Sequence, residues 1–451
     1  MKIYFAEAQK VREALRSGNI CIAVYGLGRM GLPLAALFAD SGAKVIGVDI
    51  NADVVTSVDR GECYISGEPG LDELIERNVT SGRLSATSDL ADSAKQADVM
   101  ISAIPMILDS EHNPDLSNLK ALYKEIGKGL DKGDVVIQES TVPLKTTYDV
   151  ILPILTKESG LKPGNFGLAR CPEHARYGSV IEDIKGSNLK VVGGIDKHST
   201  GAAAAIYSVI NTKGIITMSG STSAEAVKVF AAVYKDVNIA LANEFSMICH
   251  EVGINPHEVL EALMRPPAYA PMFMSGCGVG GHCIPVCGYG ITSIVKRYTR
   301  LIPLARKIND DMANYSVDLL QHGLHEVGVH LNDSNVLLLG LTYRGDMKDT
   351  LNSPAVLIIK ALLGKCKKIY GYDPLLKNEV TGYGALPLNG LYEIGTNMQA
   401  DAVIIASDHS EFKRIDWGDL GRSMRHKVII DGRNCTDLTE LRRIGWTAYG
   451  I

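Results

Sequence analysis

A glycine-rich segment near the middle of the chain places a cysteine in a setting that suits covalent chemistry. Residues 276–287 have the sequence Gly-Cys-Gly-Val-Gly-Gly-His-Cys-Ile-Pro-Val-Cys, so Cys283 follows several glycines and comes just before Pro285. Glycine lets the backbone turn and approach a ligand closely, while proline restricts the chain after the thiol. A cysteine thiolate is a strong nucleophile toward a carbonyl carbon. The segment therefore predicts covalent catalysis at Cys283, and a buried glycine-rich bend with an incidental cysteine is the structural alternative.

The part Gly-Val-Gly-Gly-His-Cys-Ile-Pro resembles the active-site signature of the UDP-sugar 6-dehydrogenases, which oxidise the CH2OH group of a sugar to a carboxylate. Within that family, His-Cys-Ile-Pro is similar to the branch that acts on UDP-N-acetylhexosamines, chiefly UDP-N-acetylmannosamine. The resemblance extends from about Asn19 to the C-terminus. It implies that Cys283 is the catalytic nucleophile and that Gly276 and Gly280 belong to the substrate site.

A second glycine motif lies near the N-terminus between two apolar runs. Residues 20–25 are apolar, Gly-Leu-Gly-Arg-Met-Gly follows, and a helical pattern then leads to a second apolar run that ends in Asp49. Strand, glycine turn, helix and strand in this order predict a dinucleotide site with the pyrophosphate at the helix N-terminus. A carboxylate at Asp49 accepts ribose hydroxyls and repels a 2′-phosphate, so we expect NAD rather than NADP. The predicted cofactor-binding residues are Gly26, Gly28, Arg29, Met30, Gly31, Asp49, Pro105, Ser140 and Thr141.

Further apolar runs at residues 99–104, 135–138 and 166–169 predict that a parallel sheet continues. Open α/β sheets bind ligands at the carboxyl ends of their strands, and two of these ends carry polar residues. One contains Thr141 in Glu-Ser-Thr-Val-Pro, and the other contains Glu173 in Arg-Cys-Pro-Glu. Alone, each segment favours a loop or a helix cap over a functional site. The resemblance implies that Thr141 and Glu173 position water and shuttle protons while a thioester is hydrolysed.

Residues 221–252 carry apolar side chains at helical spacing and predict one long helix. Gly253 can close this helix, and Asn255-Pro256 can begin the next one. The resemblance implies that the long helix connects two nucleotide-binding domains and forms the interface of a homodimer or a higher homo-oligomer. It also implies that Lys228 contacts the substrate and stabilises negative charge on the sugar oxygen as hydride leaves. By itself, Lys228 would be a solvated residue on a helix surface.

The last third of the chain restarts the alternation of strands and helices. Residues 368–373, which end in Asp373, echo residues 44–49, which end in Asp49, and they predict a second Rossmann-like domain without the glycine turn. The other elements predicted in this part are strands at residues 335–341, 402–406 and 427–430 and a helix at residues 353–363.

Three residues of this last third are candidates for substrate binding. The resemblance implies that the domain binds the UDP moiety, that Tyr343 and Arg344 form an aromatic–basic pair on UDP, and that Arg433 lies in a loop at the end of a strand. For the two arginines, surface charge is the alternative.

The predicted fold is α/β, with two Rossmann-like doubly wound parallel-sheet domains joined by a central helical domain that contains the long helix. A chain of 451 residues is too long for a single core. The predicted domains are an N-terminal helical extension at 1–18, an NAD-binding domain at 19–215, a central domain with the cysteine loop at 216–325 and a UDP-sugar-binding domain at 326–451.

The composition excludes several classes of function. The net charge is −5 and no basic block is present, so we expect neither a nucleic-acid nor a membrane partner. No apolar run approaches the roughly 18 residues of a membrane span. The first 18 residues indicate a short amphipathic helix without a signal-peptide core, and we expect a cytoplasmic protein.

Nine cysteines occur without a C-x2-C pair, so reduced thiols are expected rather than a disulfide framework. Cys277, His282, Cys283 and Cys287 cluster in the sequence. Their spacing matches no common zinc pattern, and no metal site is predicted.

Four positions depart from the pattern of the resembled family. Ala232 replaces an asparagine one helical turn after the lysine, Cys287 replaces an aspartate four residues after Cys283, and Leu351 replaces an arginine in an Asp-x-Arg-x-Ser-Pro motif. An arginine that reaches from a neighbouring subunit has no clean match, since Arg265 is out of register. Losing one oxyanion donor can cost about 100-fold in rate. A Cys283–Cys287 disulfide is a chemically possible redox switch.

The reaction implied by the resemblance reduces two NAD for each sugar. An aldehyde forms first, Cys283 adds to it as a thiolate, the thiohemiacetal is oxidised to a thioester, and water hydrolyses the thioester with help from Glu173 and Thr141. Lys228 stabilises the oxyanions throughout. A free cysteine has a pKa of about 8.5, so the site must favour the thiolate, and a nearby lysine could do so.

Three alternatives remain. The first is a UDP-glucose or other NDP-sugar 6-dehydrogenase. The second is a two-electron dehydrogenase of the 6-phosphogluconate or 3-hydroxyacid type, which lacks a second Rossmann-like domain and a Gly-Gly-His-Cys loop. The third is a regulatory protein that binds NAD or a nucleotide sugar without turnover, which Ala232, Cys287 and Leu351 favour.

Overall fold

A computed structural model of the protein describes residues 2–109, 111–266, 271–376, 379–394 and 399–451. The chain forms two compact units. Unit 1 contains Met1–Ala231 and Tyr289–Ile294, and unit 2 contains Ala232–Gly288 and Val295–Ile451. This division is coarser than the four predicted domains, whose boundaries stay predictions, and Met1 of the predicted extension lies outside the described residues.

Unit 1 is built on an eight-stranded sheet with the strand order β10-β9-β8-β7-β4-β1-β2-β3. A separate short pair, β5 with β6, is antiparallel. The strands are β1 (Cys21–Tyr25), β2 (Lys44–Val48), β3 (Leu84–Thr87), β4 (Val99–Ser102), β5 (Ile107–Leu108), β6 (Pro114–Asp115), β7 (Val135–Gln138), β8 (Gly167–Arg170), β9 (Lys190–Gly194) and β10 (Ile215–Thr217).

Helices cover both faces of this sheet, and the strands are consequently continuous apolar runs rather than alternating ones. The helices are α1 (Ala8–Arg16), α2 (Gly31–Asp40), α3 (Ala52–Asp59), α4 (Leu71–Thr80), α5 (Leu90–Gln96), α6 (Ser117–Gly129), α7 (Leu152–Ser159), α8 (Val180–Glu182) and α9 (Lys197–Tyr207).

The predicted doubly wound architecture is confirmed, with one difference in strand direction. β8 pairs antiparallel with β9, through Ala169 opposite Gly194, whereas the other paired strands of the sheet are parallel. The link between β8 and β9 contains only short helical segments, and an antiparallel neighbour needs no helical crossover. The reversal matters for the site, because Gly193 and Gly194 at the end of β9 pair with the last residues of β8, and Lys190 at its start lies beside Glu173 in the segment that follows β8.

The N-terminal extension packs on unit 1 as the predicted amphipathic helix. Val11 and Leu15 of α1 are buried in the core of the unit together with Ile3 and Tyr4. The Tyr4 hydroxyl donates a hydrogen bond to Asp196 Oδ2 at 2.9 Å. The extension therefore belongs to the fold of this unit.

The predicted long helix is confirmed as α10 (Ser221–Glu251), and the division between the two units falls within it. Gly253, with φ of +75°, ends this segment, and Asn255 Oδ1 accepts from His257 N at the start of α11 (Pro256–Leu263). In the described ranges, no helix combines the length and the apolar character that crossing a membrane requires.

Unit 2 contains a six-stranded parallel sheet with the order β13-β12-β11-β14-β15-β16. Its strands are β11 (Asn335–Leu339), β12 (Lys368–Tyr372), β13 (Leu386–Pro387), β14 (Ala402–Ile405), β15 (Val428–Asp431) and β16 (Thr447–Gly450). Its further helices are α12 (Ile284–Thr292), whose last residues fall in unit 1, α13 (Leu301–Glu326), α14 (Pro354–Leu362), α15 (Trp417–Ser423) and α16 (Leu438–Arg443). This is the predicted second Rossmann-like domain.

The glycine turn after β1 yields a prediction about stability. A Cβ atom added at Gly31 would overlap the carbonyl oxygen of Gly26, whereas one added at Gly28 meets no described atom within 4 Å. Because a backbone oxygen cannot move aside cheaply, we expect Gly31→Ala to lower the free energy of unfolding by about 2 kcal/mol or more. Denaturant unfolding followed by circular dichroism measures this change. Gly28→Ala is the matched control, and equal destabilisation by the two substitutions would contradict the packing argument.

Candidate active site

The turn between β1 and α2 has the geometry of a phosphate cradle. Gly26 has φ of +89°, and its N–H donates to Val48 O at 2.7 Å, which holds the turn against β2. The open space beside Gly28 lets a ligand come close to the backbone at the start of α2. Helix N-termini favour anions because their first N–H groups and the helix dipole point toward the ligand.

Asp49 follows β2 and lies directly beside this turn. Its Oδ2 accepts a hydrogen bond from Leu27 N at 2.8 Å, and its Oδ1 accepts from Asn51 N at 2.9 Å. The residue is half-buried, and each carboxylate oxygen has a second lone pair that a ribose hydroxyl can use. The turn and the carboxylate therefore fit a dinucleotide.

The other residues predicted to bind the cofactor differ in their exposure. The Arg29 guanidinium lies over the ring of Tyr177, 5.2 Å from its centroid, and Met30 packs against the apolar core of unit 1. Pro105 is exposed after β4, while Ser140 and Thr141 are half-buried after β7. Because β2, β1, β4, β7 and β8 are neighbouring parallel strands, the residues that follow them lie along one edge of the sheet.

Glu173 follows β8 at this edge and belongs to a buried group of charges that the sequence did not predict. Lys190, the first residue of β9, has its Nζ 2.9 Å from Glu173 Oε2 and in closer contact with Glu139 Oε1. The Tyr207 hydroxyl donates to Glu139 Oε2. We call Glu139, Glu173 and Lys190 the carboxylate–lysine cluster.

The two carboxylates of the cluster have different proton affinities. Burial raises the pKa of Glu139 to about 7, although the Lys190 ammonium opposes this shift. Burial also favours the neutral form of Glu173, but the charge and hydrogen bond of Lys190 and the backbone N–H of His174 outweigh it and lower its pKa to about 2. Glu173 is therefore an anion throughout the physiological range.

Lys228 is half-buried on α10 and influences the same region of unit 1. Burial and then the positive charge of Lys228 lower the pKa of the neighbouring His174 to about 4, so this imidazole is neutral at pH 7. One helical turn before Lys228, Glu225 accepts hydrogen bonds from Lys145 N at 2.5 Å and from Thr147 N at 2.8 Å. This carboxylate fixes the start of α10 to the segment that follows Ser140 and Thr141.

The cysteine loop belongs to unit 2 and is held there through its backbone. Gly276 N donates to Asn243 Oδ1 of α10 at 2.8 Å, Cys277 N donates to Gly432 O, and Gly281 N donates to Leu351 O at 2.9 Å. Cys283 is exposed and immediately precedes α12, where the positive end of the helix dipole favours an anionic group. All nine cysteines lie within the described residues, and none of them forms a disulfide.

Two of the three predicted UDP-binding residues, Tyr343 and Arg433, contact this loop in unit 2. A Cβ atom added at Gly280 would lie 2.6 Å from Tyr343 Cβ, so glycine permits the close packing of the loop on this half-buried tyrosine. Arg433 follows β15, and its guanidinium donates to Ala406 O at 2.8 Å and to Gly278 O at 3.2 Å. Arg344 is exposed. Arg433 thus supports the cysteine loop in addition to any contact with a ligand.

One contact beside Cys283 could not be inferred from single motifs. His282 Nε2 lies 3.0 Å from Asp349 Oδ2, which pairs the residue before the cysteine with the first residue of the Asp-Thr-Leu-Asn-Ser-Pro segment.

The three positions that depart from the family pattern differ in their exposure. Ala232 and Cys287 are buried, whereas Leu351 is 43 % exposed. In the described residues no group of three or more metal-ligating side chains is assembled.

The chain is similar to known proteins over most of its length. The NAD binding domain of the UDP-glucose/GDP-mannose dehydrogenase family matches residues 20–211, its central domain matches residues 222–311, and its UDP binding domain matches residues 337–438. A UDP-N-acetyl-D-mannosamine dehydrogenase from Pyrococcus horikoshii is 35 % identical over 92 % of this chain and 95 % of its own.

Solved structures are similar over nearly the whole chain. The structure of UDP-D-ManNAc dehydrogenase from Pyrococcus horikoshii has a TM-score of 0.88 at 34 % identity and covers 96 % of this chain and 99 % of its own. An NDP-N-acetyl-D-galactosaminuronic acid dehydrogenase from Methanosarcina mazei has a TM-score of 0.84 at 30 % identity, covering 99 % and 98 %. These matches confirm the predicted resemblance and the NAD-binding domain, and they place this chain in the UDP-glucose/GDP-mannose dehydrogenase family.

Proposed function

We propose that the protein oxidises C6 of a UDP-N-acetylhexosamine, UDP-N-acetylmannosamine above all, to the uronic acid. The observation that carries the choice of sugar is the similarity to UDP-N-acetyl-D-mannosamine dehydrogenases over 92 % of the chain. The exposed Cys283 on its glycine-rich loop supports a covalent route. The glycine turn and Asp49 fit NAD, which supplies the hydride acceptor when bound.

The residues are assigned to the steps of a four-electron oxidation. Removal of hydride and a proton converts the CH2OH group to an aldehyde, and the Cys283 thiolate adds to its carbon while the aldehyde oxygen takes up a proton, which gives a thiohemiacetal. Loss of a second hydride and a proton gives the thioester. Water then attacks the thioester carbon, the C–S bond breaks, and the acid and the Cys283 thiol are released. The chemistry requires a nucleophile with space for a carbonyl carbon beside it.

Three residues of unit 1 assist these steps in the proposal. Lys228 stabilises the negative charge that develops on the sugar oxygen, as a preorganised cation does in other oxyanion sites. Glu173 and Thr141 hold the attacking water. The ionised Glu173 can accept a hydrogen bond from that water. Because its pKa is about 2, it is too weak a base to retain the proton that the water loses. That proton is finally carried by the departing sulfur.

The first experiment measures NADH formation anaerobically with a panel of sugar nucleotides, limiting sugar and excess NAD. We expect two NADH for each UDP-N-acetylmannosamine and much less with UDP-glucose. An NDP-N-acetylgalactosamine is the second candidate, because the NDP-N-acetyl-D-galactosaminuronic acid dehydrogenase from Methanosarcina mazei covers 99 % of this chain. NAD binding without NADH from any sugar would overturn the proposal and favour a nucleotide-sugar-binding protein without turnover.

Substitution of the nucleophile tests the covalent route. We expect Cys283→Ser to reduce acid formation by at least about 1000-fold, because a serine hydroxyl lacks the nucleophilicity of a thiolate, with acid measured by mass spectrometry of the product. Cys366→Ser, in a partly buried thiol that follows α14, is the control with unchanged activity. Acid formation at the wild-type rate in Cys283→Ser would eliminate the thioester.

The long helix carries a surface that fits a second copy of the chain. Phe230, Tyr234, Leu241 and Ile248 recur at helical spacing on one side of α10, and each is between 41 % and 55 % exposed. A continuous apolar stripe of this kind is typical of helix–helix interfaces. We infer a homodimer through α10.

Light scattering after size-exclusion chromatography measures the mass of this assembly. We expect the wild type at about twice the monomer mass of 48.6 kDa and Tyr234→Glu/Ile248→Glu at the monomer mass, because a charge in an apolar interface is costly. Lys235→Glu, on another side of the same helix, is the control and should remain dimeric. A double variant that keeps the wild-type mass would place the interface elsewhere.

A further inference from the structure

The carboxylate–lysine cluster in unit 1 contains three ionisable side chains at the end of the sheet where the cofactor and water are expected. Lys190 has a side chain that is 4 % exposed, and that of Glu139 is 2 % exposed, whereas the Glu173 side chain is 11 % exposed. Burying charges costs several kcal/mol for each ion unless they are paired. The cluster therefore presents Glu173 outward and keeps the other two members inside.

Both oxygens of Glu173 are held. Oε1 accepts from the N–H groups of His174 and Ala175, at 2.6 and 2.9 Å, which is a contact with its own turn. Oε2 accepts from Lys190 Nζ at 2.9 Å. Since a carboxylate oxygen offers two lone pairs, Oε2 retains one that a water molecule can use. Lys190 provides the contact from outside the turn and so sets the direction of that lone pair.

Lys190 is itself fixed from the side away from Glu173. Its ammonium donates to Glu139 Oε1 and lies over the ring of Tyr207, 4.4 Å from the centroid. The Tyr207 hydroxyl donates to the other oxygen of Glu139, and the Arg170 Nη1 donates to Gln138 O at 2.7 Å and to Glu139 O. The contacts thus run from the core of the unit through Glu139 and Lys190 to Glu173.

An apolar cluster of the same volume would stabilise the fold as well as a buried ion trio does. A cluster of charged residues differs from an apolar cluster in that it can hold a charged side chain in one orientation at the surface of the site. We propose that Lys190 is a positioning residue for thioester hydrolysis, which holds the Glu173 carboxylate in the orientation that binds the attacking water. This inference rests on the proposed function, in which Glu173 assists that step.

The two halves of the reaction depend on different residues. Hydride transfer and thiol addition need Lys228 and Cys283, and neither belongs to the cluster. Hydrolysis adds the oxygen of water to the thioester carbon, breaks the C–S bond and returns a proton to sulfur. Loss of Lys190 should therefore leave the first half nearly intact and cause the thioester on Cys283 to accumulate.

The test uses the full-length protein with NAD and UDP-N-acetylmannosamine, rapid mixing for NADH, and intact mass of enzyme quenched during turnover. The principal variant is Glu139→Gln/Lys190→Met, which removes the lysine together with its inner carboxylate partner and so leaves no unpaired carboxylate at position 139. We expect the first two NADH per site within about threefold of the wild-type rate, steady turnover at least tenfold lower, and a sugar adduct on most of the enzyme. Lys190→Arg keeps the cation and should show partial accumulation.

Two further proteins make the outcomes distinguishable. Glu173→Gln should accumulate the same adduct, and Lys44→Met, at the exposed first residue of β2, should behave as the wild type. Adduct in Glu173→Gln but not in the Lys190 variants would overturn this inference and leave the proposed function standing. Absence of adduct in Glu173→Gln would refute the role of Glu173 itself.

A purely structural role for Lys190 has a different signature. It would lower hydride transfer and hydrolysis in proportion, without adduct, in a variant whose circular dichroism is that of the wild type. If the double variant does not fold, Lys190→Arg decides, and hydrolysis at the wild-type rate in that variant would overturn the inference.

Discussion

The buried ammonium of Lys190 is the interaction on which the edge of the first sheet depends. It lies between two carboxylates that come from different strand ends, and without it both would face a desolvated negative neighbour. The antiparallel direction of β9 places this lysine there, because the strand begins beside the segment that follows β8 and then runs back along β8. The direction of β9 therefore determines which charged side chain is buried between the two carboxylates.

Buried polar side chains also connect the long helix to the segments that pack against it. Glu225 is fully buried and accepts hydrogen bonds from the segment after β7, while Asn243, about five helical turns later, accepts from Gly276 of the cysteine loop. One helix thus carries a polar anchor within each compact unit. Neither of these two residues belongs to the exposed apolar stripe of α10.

The sequence predicted most of the fold because its signals are local. The two glycine motifs, the continuous apolar strands and the capping residues Gly253 and Asn255 each report on a few neighbouring residues. The cluster could not be predicted, since its members are distant in sequence and ordinary in context. Lys44, Lys190 and Lys368 all begin apolar strands, and of these three only Lys190 is buried. The reversal of β9 likewise depends on how the link packs, and the sequence carries no distinct pattern for it.

The two sheets share one local arrangement, in which an aspartate follows a strand and accepts from the neighbouring turn, but only in the first sheet does the aspartate remain accessible to a ligand. Asp49 and Asp373 each follow the second strand of a pair, and each accepts from a backbone N–H of the facing turn at 2.8 Å, that of Leu27 or Leu341. Asp373, however, is 1 % exposed and is also bound by His409 at 3.1 Å. Its carboxylate is thereby withdrawn from any ribose. Transplanting the glycine turn of the first sheet into the second would not create another dinucleotide site, and an engineer would also have to release Asp373 from His409.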